Sequence, residues 1–378
     1  MNHWGLFIVI FCCLYSCKSP NKDINTSSNS RVSSLLYATG FDRIDHEYYT
    51  ELIINEPWPG SQSPHRYALL TQGQTIKDPE AFDAVIQIPI EHIVVTSTTH
   101  IPALELLGVS HTLMGFPHLD YISSPKTRER INQGEVLELG QAQALNMELL
   151  LQAQPDALIT FAVSGAQSDL MQLRDSGIPV LYNTDWTETH PLGKAEWIKF
   201  FGALYNQSER ADSLFQRVAS NYLKAKQDAG QQKYAPKVLS GALYKDVWYL
   251  PAGESWAAKF ISDAHGQYLF AETAGAGSLQ LSIEEVIAKG QQADVWVGPG
   301  QFTSYQELKD ANQAYTLFNP FQQQKIYSFS LSKGPTGGVL YFEMAAMRPD
   351  LVLKDLISIF HPTALPGHEP IYFKPIKP

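Results

Sequence analysis

From Glu91 onward, short apolar runs alternate with stretches whose apolar positions recur at helical spacing. A short apolar run between turn residues predicts a buried strand, and recurrence every three or four residues predicts an amphipathic helix. Their alternation predicts an α/β architecture, a parallel sheet flanked by helices. In the first half, Ile93-Val94-Val95-Thr96, Ala157 to Phe161 and Pro179 to Tyr182 read as strands. Pro102 to Leu107, Met147 to Gln152 and Ser168 to Asp175 read as helices, with Pro102 suited to a first turn and Asn146 able to cap. Helical signals then dominate from Pro191 to Ala229, where Ala211, Leu214, Phe215, Val218 and Tyr222 share one face. At 1.5 Å per residue, about 22 residues of that face make a rod of roughly 33 Å, placed between two α/β halves. The second half opens on the strand run Lys237 to Leu243 and continues with strands at Asp294 to Gly298 and Lys325 to Phe329. Its helices are expected at Trp256 to Asp263, Ser282 to Ala288, Val339 to Met347 and Pro349 to Phe360.

The two ends depart from this pattern. Gly5 to Tyr15 is an unbroken apolar run of 11 residues, well short of the roughly 20 that a membrane-spanning helix needs but suited to a signal peptide. Lys18 to Ser34 is rich in Ser, Asn and Lys and reads as a tether reaching roughly 20 to 25 Å. Leu35 to Ile90 mixes extended runs such as Tyr48 to Ile54 with the turn Pro57-Trp58-Pro59-Gly60, a β-rich lead-in. The tail from His361 holds five prolines in 18 residues and cannot be regular helix. The expected organisation is a signal at 1–16, a tether at 17–34, the β-rich extension at 35–90, an α/β lobe at 91–190, a helical connector at 191–235 and a second lobe with its tail at 236–378.

Composition narrows the chemistry. The net charge of −10 offers no general attraction to phosphate backbones, so nucleic acid is not an expected partner. All three cysteines, Cys12, Cys13 and Cys17, fall in the first 17 residues. Cleavage of the signal would leave a folded part without disulfides, zinc–thiolate sites or a cysteine nucleophile. The chain has no G-x-S-x-G elbow, P-loop, H-E-x-x-H pair or strand-following G-x-G-x-x-G, and no spacing of acidic residues marks a general acid and base, so an enzyme is not expected.

An internal repeat links the halves. Leu145 to Leu151 followed by Pro155-Asp156 and Ala157 to Ile159 parallels Leu281 to Ile287 followed by Ala293-Asp294 and Val295 to Val297. Each is cap, helix, turn, acidic residue and strand, which suggests two lobes built alike.

Two resemblances follow. Leu14-Tyr15-Ser16-Cys17 resembles the bacterial lipobox, which implies cleavage before Cys17 and a lipid anchor on its thiol. The order of Ile93 to His100, Asn146 to Ile159 with its Pro155-Asp156 turn, and Arg348-Pro349-Asp350-Leu351-Val352-Leu353 resembles the substrate-binding lipoproteins of ABC importers for iron complexes, haem and vitamin B12. The resemblance spans roughly Ile88 to Phe360. It implies two Rossmann-like lobes with mostly parallel sheets joined by a single long helix, and a ligand held between them.

A location between the lobes also follows from the rule that ligands of open α/β sheets lie beyond the carboxyl ends of the strands. The loops there supply His100, Phe116, His118, Ser164, Trp186, Tyr244, Trp248 and Trp256 as candidate ligand-binding residues. They are aromatic and His-bearing, with few of the chain's nine arginines among them, and lean toward a neutral or weakly charged chelate or macrocycle. No intrinsic cofactor or protein metal site is expected; a metal would arrive already chelated. The primary expectation is an iron complex of siderophore type, with cobalamin, haem, or a receptor not coupled to transport as alternatives. The resemblance further implies an ABC permease and ATPase as partners, and places the chain in the bacterial cell envelope, anchored to a membrane. It assigns permease docking to Glu148 and Glu284, one acid near a helix start in each lobe. Ser282-x-x-Glu285 forms a capping box, which occupies Glu285 and leaves Glu284 to point outward.

Overall fold

The structure, a computed structural model, describes residues 35–141, 144–165 and 168–378, with the backbone of the short strands Asp23–Ile24 and Arg31–Ser33. The expected signal, Cys17 and most of the expected tether lie outside the described residues.

The first lobe is built on five parallel strands in the order Leu137–Glu138, Leu113–Phe116, Ile93–Val95, Ala157–Thr160 and Val180–Tyr182. The second carries Gln267–Tyr268, Lys237–Ser240, Val295–Val297 and Ile326–Ser328 in parallel, closed by the antiparallel edge strand Lys374–Pro375. In each lobe the strand entered first is flanked by strands that follow it in opposite directions across the sheet. The reversal falls between Ile93–Val95 and Ala157–Thr160 in one lobe, and between Lys237–Ser240 and Val295–Val297 in the other.

The internal repeat takes the same form in both lobes. Asn146 caps the helix Met147–Ala153 by accepting from Leu149, and Ser282 caps Ile283–Gly290 through a complete capping box with Glu285. After each helix an aspartate pins the neighbouring strand at its start. The Asp156 carboxylate accepts the N–H groups of Glu91 and His92, and the Asp294 carboxylate accepts that of Lys237.

The strand run expected over Lys237 to Leu243 is split. At Gly241 the chain turns through φ 82° and Ala242–Tyr244 leaves the parallel sheet to pair with Val247–Pro251, which pairs in turn with Ser278–Leu281. A Cβ on Gly241 would stand 2.0 Å from the Tyr249 carbonyl oxygen, so both the conformation and the close approach require glycine. The helix expected from Val339 to Met347 is shorter, Leu340–Met344.

The connector contains Pro191–Glu196, Ile198–Leu204 and the 22-residue strut Ser208–Ala229. The strut buries Ala211, Phe215, Ala219 and Tyr222 and packs along the helix Pro349–Phe360. Asp263 of the second lobe ties it down by accepting from Tyr222 Oη at 2.8 Å and pairing with Lys226 and Lys259. Burial alone would raise the Asp263 carboxyl, but those two cations and the tyrosine outweigh it and hold the group below the usual carboxylate range.

Residues 35–90 form a sheet of Phe41–Asp45, Tyr49–Ile54, His65–Thr71 and Ala84–Ile88, extended by Arg31–Ser33 on its outer side. Part of the expected tether is therefore strand, because the free edge of Phe41–Asp45 supplies backbone partners. This sheet also covers an edge of the first lobe: the Tyr182 N–H donates to Tyr67 Oη at 3.2 Å, and Trp58 packs edge-on against the Tyr182 ring.

Between the two sheets runs a strap, residues 36–40, held by two buried carboxylates, Glu196 of the connector and Glu188 just before it. Glu196 accepts the N–H groups of Leu36, Tyr37 and Ala38, and Glu188 accepts those of Thr39 and Gly40. A Cβ on Gly40 would lie 2.7 Å from Thr184 Oγ1 and 2.8 Å from the Trp197 ring, so this approach admits no side chain. The tail is pinned in the same way: the Asp355 carboxylate, fully buried, accepts the N–H groups of Ile371, Tyr372 and Phe373.

Candidate functional site

The carboxyl ends of both parallel sheets open toward the gap between the lobes, and each end carries a cavity at the point where strand order reverses. In the first lobe a cavity of about 320 Å³ is lined by Thr96 and Phe161, from the ends of the two central strands, with Phe116 and Tyr121. In the second a cavity of about 890 Å³ is lined by residues Ser240, Gly241 and Gly298, from the corresponding strand ends, and by the aromatic residues Trp256, Phe329 and Tyr341. Phe342, 58% exposed on the short helix Leu340–Met344, lines both.

Along one rim the lobes already touch. Glu343 of the second lobe accepts the backbone N–H groups of Ser123 at 2.6 Å and Ser124 at 3.0 Å. The Ser124 hydroxyl donates instead to Glu105, which also accepts from Thr127. Gly334 and Gly338 lie directly on Ser123, where a Cβ on either would fall within 2.5 Å of it.

The walls are almost free of charge. Among the described residues no Asp, Glu, Lys or Arg lines the larger cavity, and Glu343 is the one such residue lining the smaller. Burial raises the Glu343 carboxyl to about 7, opposed by the two serine N–H bonds and reinforced by Glu105. The folded, rim-closed state thus binds this proton more tightly than the unfolded state does. Its contribution to stability is fully present below about 4.5 and is lost as pH rises through about 7. Wild-type protein is expected to lose on the order of 1–3 kcal/mol across that window, and Glu343→Gln to lack that part of the profile, as urea melts at a series of pH values would show. Parallel profiles for the two proteins would contradict the assignment.

The residues expected to bind ligand fall into four groups. Phe116, Tyr244 and Trp256 line the cavities. His118 supports one from behind: its backbone, at φ 53°, donates to Glu138 and Gly140, while its ring lies 4.8 Å from that of Tyr121. Ser164 and Trp186 are exposed but line neither cavity.

Trp248 and His100 are interior. Trp248 has no exposed surface; it stacks on Trp296 at 5.4 Å, and the two indoles donate to the carbonyls of Ser240 and Gly241. It belongs to the core that fixes the cavity's back wall rather than to the wall itself. His100 is 1% exposed, with its ring 5.6 Å from Phe201, and burial lowers it to about 4 against the opposing pull of Asp185. It is therefore neutral at physiological pH. Glu148 and Glu284 are exposed, each two residues beyond its helix cap, and neither makes a hydrogen bond or ion pair among the described residues.

Sequence reasoning missed Tyr121, Phe161, Tyr341, Phe342, Glu343 and Phe373. In the sequence Tyr341-Phe342-Glu343 reads as part of a core helix. The available signal was the Gly-rich loop before it, too long for a simple helix connection and suited to an interlobe contact. Among the described residues no group of three or more His, Cys, Asp or Glu side chains is placed to hold a metal ion.

Comparison with known proteins decides the family. The family model described as periplasmic binding protein matches residues 93–329, more than half of the chain. The chain belongs to the periplasmic binding protein family. Like other periplasmic binding proteins it is a binding protein and not an enzyme, and its two-lobe α/β fold is that of the iron-complex, haem and B12 class. An uncharacterised lipoprotein of Methanocaldococcus jannaschii is 25% identical over 300 residues, 76% of this chain and 69% of its own. A periplasmic binding protein from Veillonella parvula superposes with a TM-score of 0.59 at 15% identity, covering 86% of this chain and 95% of that one. A periplasmic haem-binding protein of Vibrio cholerae has a TM-score of 0.55 at 18% identity, covering 70% and 99%. The strands that form both cavities fall within the matched residues, whereas the extension sheet and strap precede them.

Proposed function

We propose that this binding protein is the lipid-anchored substrate-binding component of an ABC importer, which captures a chelated metal between its lobes and delivers it to a membrane permease. The observation that carries the reading is the pair of cavities at the carboxyl ends of the two sheets, joined through Phe342. An iron complex of siderophore type is the family-level expectation. The lack of Lys and Arg among the described residues of both cavity walls favours, within that class, a chelate of low net negative charge, or a macrocycle such as haem or a corrinoid. A metal carried this way needs no protein ligands. Protein isolated from its own organism is expected to carry cargo, and its absorption spectrum and mass separate haem, corrinoid and ferric chelates. Isolation with a sugar, peptide or amino acid in the cleft would reject the reading.

Delivery is assigned to Glu148 and Glu284, which stand free at equivalent positions of the two lobes and can pair with cations of a permease. The strut and the closed rim favour capture with small lobe shifts rather than wide closure. Anchoring is assigned to Cys17. Labelled palmitate is expected to enter the wild-type protein in a bacterial host and not Cys17→Ala; equal labelling of both would remove the anchor.

A further inference from the structure

The larger cavity differs from the cleft above it in chemistry as well as in size. It is enclosed on one side by the antiparallel hairpin of Ala242–Tyr244 and Val247–Pro251, which hangs off the parallel sheet at Gly241. The stacked pair Trp248 and Trp296 fixes that junction by donating to two consecutive carbonyls, so the back wall is held from within the core. The opposite side is a column of three rings. Phe329 and Tyr341 stack at 4.8 Å with 10° between their planes, and Tyr341 and Trp256 at 5.8 Å with 15°. Lys194, donating to the Asp185 carbonyl, lies 5.3 Å over the Trp256 ring and caps the column. Phe373 meets Phe329 and Tyr341 edge-on and is held in place by the tail's bonds to Asp355.

Because Tyr341 is sandwiched, both of its faces are covered and its edge is left for the cavity. Ring edges carry partial positive charge and pair best with the electron-rich face of another ring system. A wall of such edges, completed by mostly apolar groups with Ser240, Ser278 and Gln301 and with no charged side chain among the described residues, is matched to an uncharged flat group and opposed to a carboxylate or sulfonate, which would be desolvated there without a cationic partner. The first-lobe cavity is mixed: beside Phe116, Tyr121 and Phe161 it offers the hydroxyls of Thr96, Ser97, Thr98 and Ser123 and the carboxyl of Glu343, the one Asp, Glu, Lys or Arg among the described residues lining either cavity. Phe342, half exposed and packed edge-on against Phe329 and Tyr341, stands between them.

We propose that the second-lobe cavity is a compartment of its own, which takes an uncharged, flat ring system borne by the cargo while the polar part stays in the first-lobe cleft, with Phe342 as the partition. This rests on the reading of the cleft as the cargo site and narrows its substrate class to chelates or macrocycles with a neutral aromatic or conjugated arm.

The test uses 1-aminoanthracene, a neutral flat fluorophore, titrated into cargo-free full-length protein, with anthracene-2-sulfonate as its charged counterpart. The neutral dye is expected to saturate one site and to bind at least about tenfold more tightly than the sulfonate. Ala257→Trp, which fills the cavity from its wall, should weaken the neutral dye about tenfold or more. Ala242→Leu fills it from the hairpin side and serves the same purpose if the first variant is poorly folded. Equal binding of the two dyes, or dye binding unaffected by filling in a variant with unchanged melting, would overturn the compartment. Protein loaded with cargo in its own organism should exclude the dye. Loaded protein that takes up the dye with undiminished affinity would overturn the proposal while leaving the cleft reading intact. Absence of cargo from natively isolated protein would count against the cleft reading alone, since the titration of cargo-free protein does not depend on it.

Discussion

Glu148→Lys combined with Glu284→Lys is expected to reduce cargo uptake by whole cells to background while leaving the affinity of the purified protein for its cargo within about twofold. The two acids stand two residues beyond their helix caps, exposed and unpaired among the described residues, so replacing them loses no hydrogen bond or ion pair, only a first-turn interaction with the helix dipole of about 0.3–1 kcal/mol each. The capping box is spared, because Glu285 and not Glu284 reaches back to Ser282. Lysine at both positions would set like charge against a cationic docking surface, at a cost of several kcal/mol. Each single reversal is expected to give a partial defect, since one lobe still docks. Uptake measured in a strain lacking the wild-type protein, beside equilibrium binding of the purified variants, checks both halves of the expectation. Normal uptake by the double variant would remove the docking assignment.

The largest effect on stability is expected at the strap. Glu196→Ala removes a carboxylate with no exposed surface that accepts three successive backbone N–H groups and pairs with Lys199 at 2.8 Å. Lys199 retains Asp212 at 3.3 Å, but Leu36, Tyr37 and Ala38 are left without their acceptor. Removing one partner of such a buried network costs about 3–5 kcal/mol. Glu196→Gln keeps the shape and one strong acceptor and should cost about half as much. Urea melts measure the difference, and limited proteolysis localises it: the alanine variant is expected to be cut near residues 36–40 under conditions in which the wild type is not. An alanine variant as stable as the wild type would show that the strap contributes nothing.

Much of the fold was legible because local signals agreed with tertiary ones. The helices at Ser168–Asp175, Trp256–Asp263 and Pro349–Phe360 begin and end where their caps, prolines and apolar spacing place them. The repeat was legible as well, and the structure supplies its physical content in Asp156 and Asp294. Strand order was not, because nothing in a strand's own residues states its neighbours. The site was legible at the level of loops and less so of residues. Trp256 and Tyr244 sit where strand-end loops place them, whereas Trp248, one turn of hairpin further on, faces inward. Alternation along a strand decides which of two neighbouring aromatics is buried, and a turn of unknown geometry resets that alternation. Phe342 escaped notice for the converse reason: on a helix of five residues, an exposed phenylalanine beside a buried tyrosine has too little periodicity to show its side.

The strap has a mechanical consequence. Tyr37 stacks on His190 and meets Phe215 of the strut, so the chain arrives from its amino-terminal side at the pivot between the lobes and not at either tip. The residues just before the strap, Arg31–Ser33, are paired in the extension sheet, so the strap is fixed at one end by that sheet and at the other by the connector. Extension, strap and connector are thereby linked in series, and a load on the residues before the strap is borne by the ladder of the extension sheet before it reaches the connector.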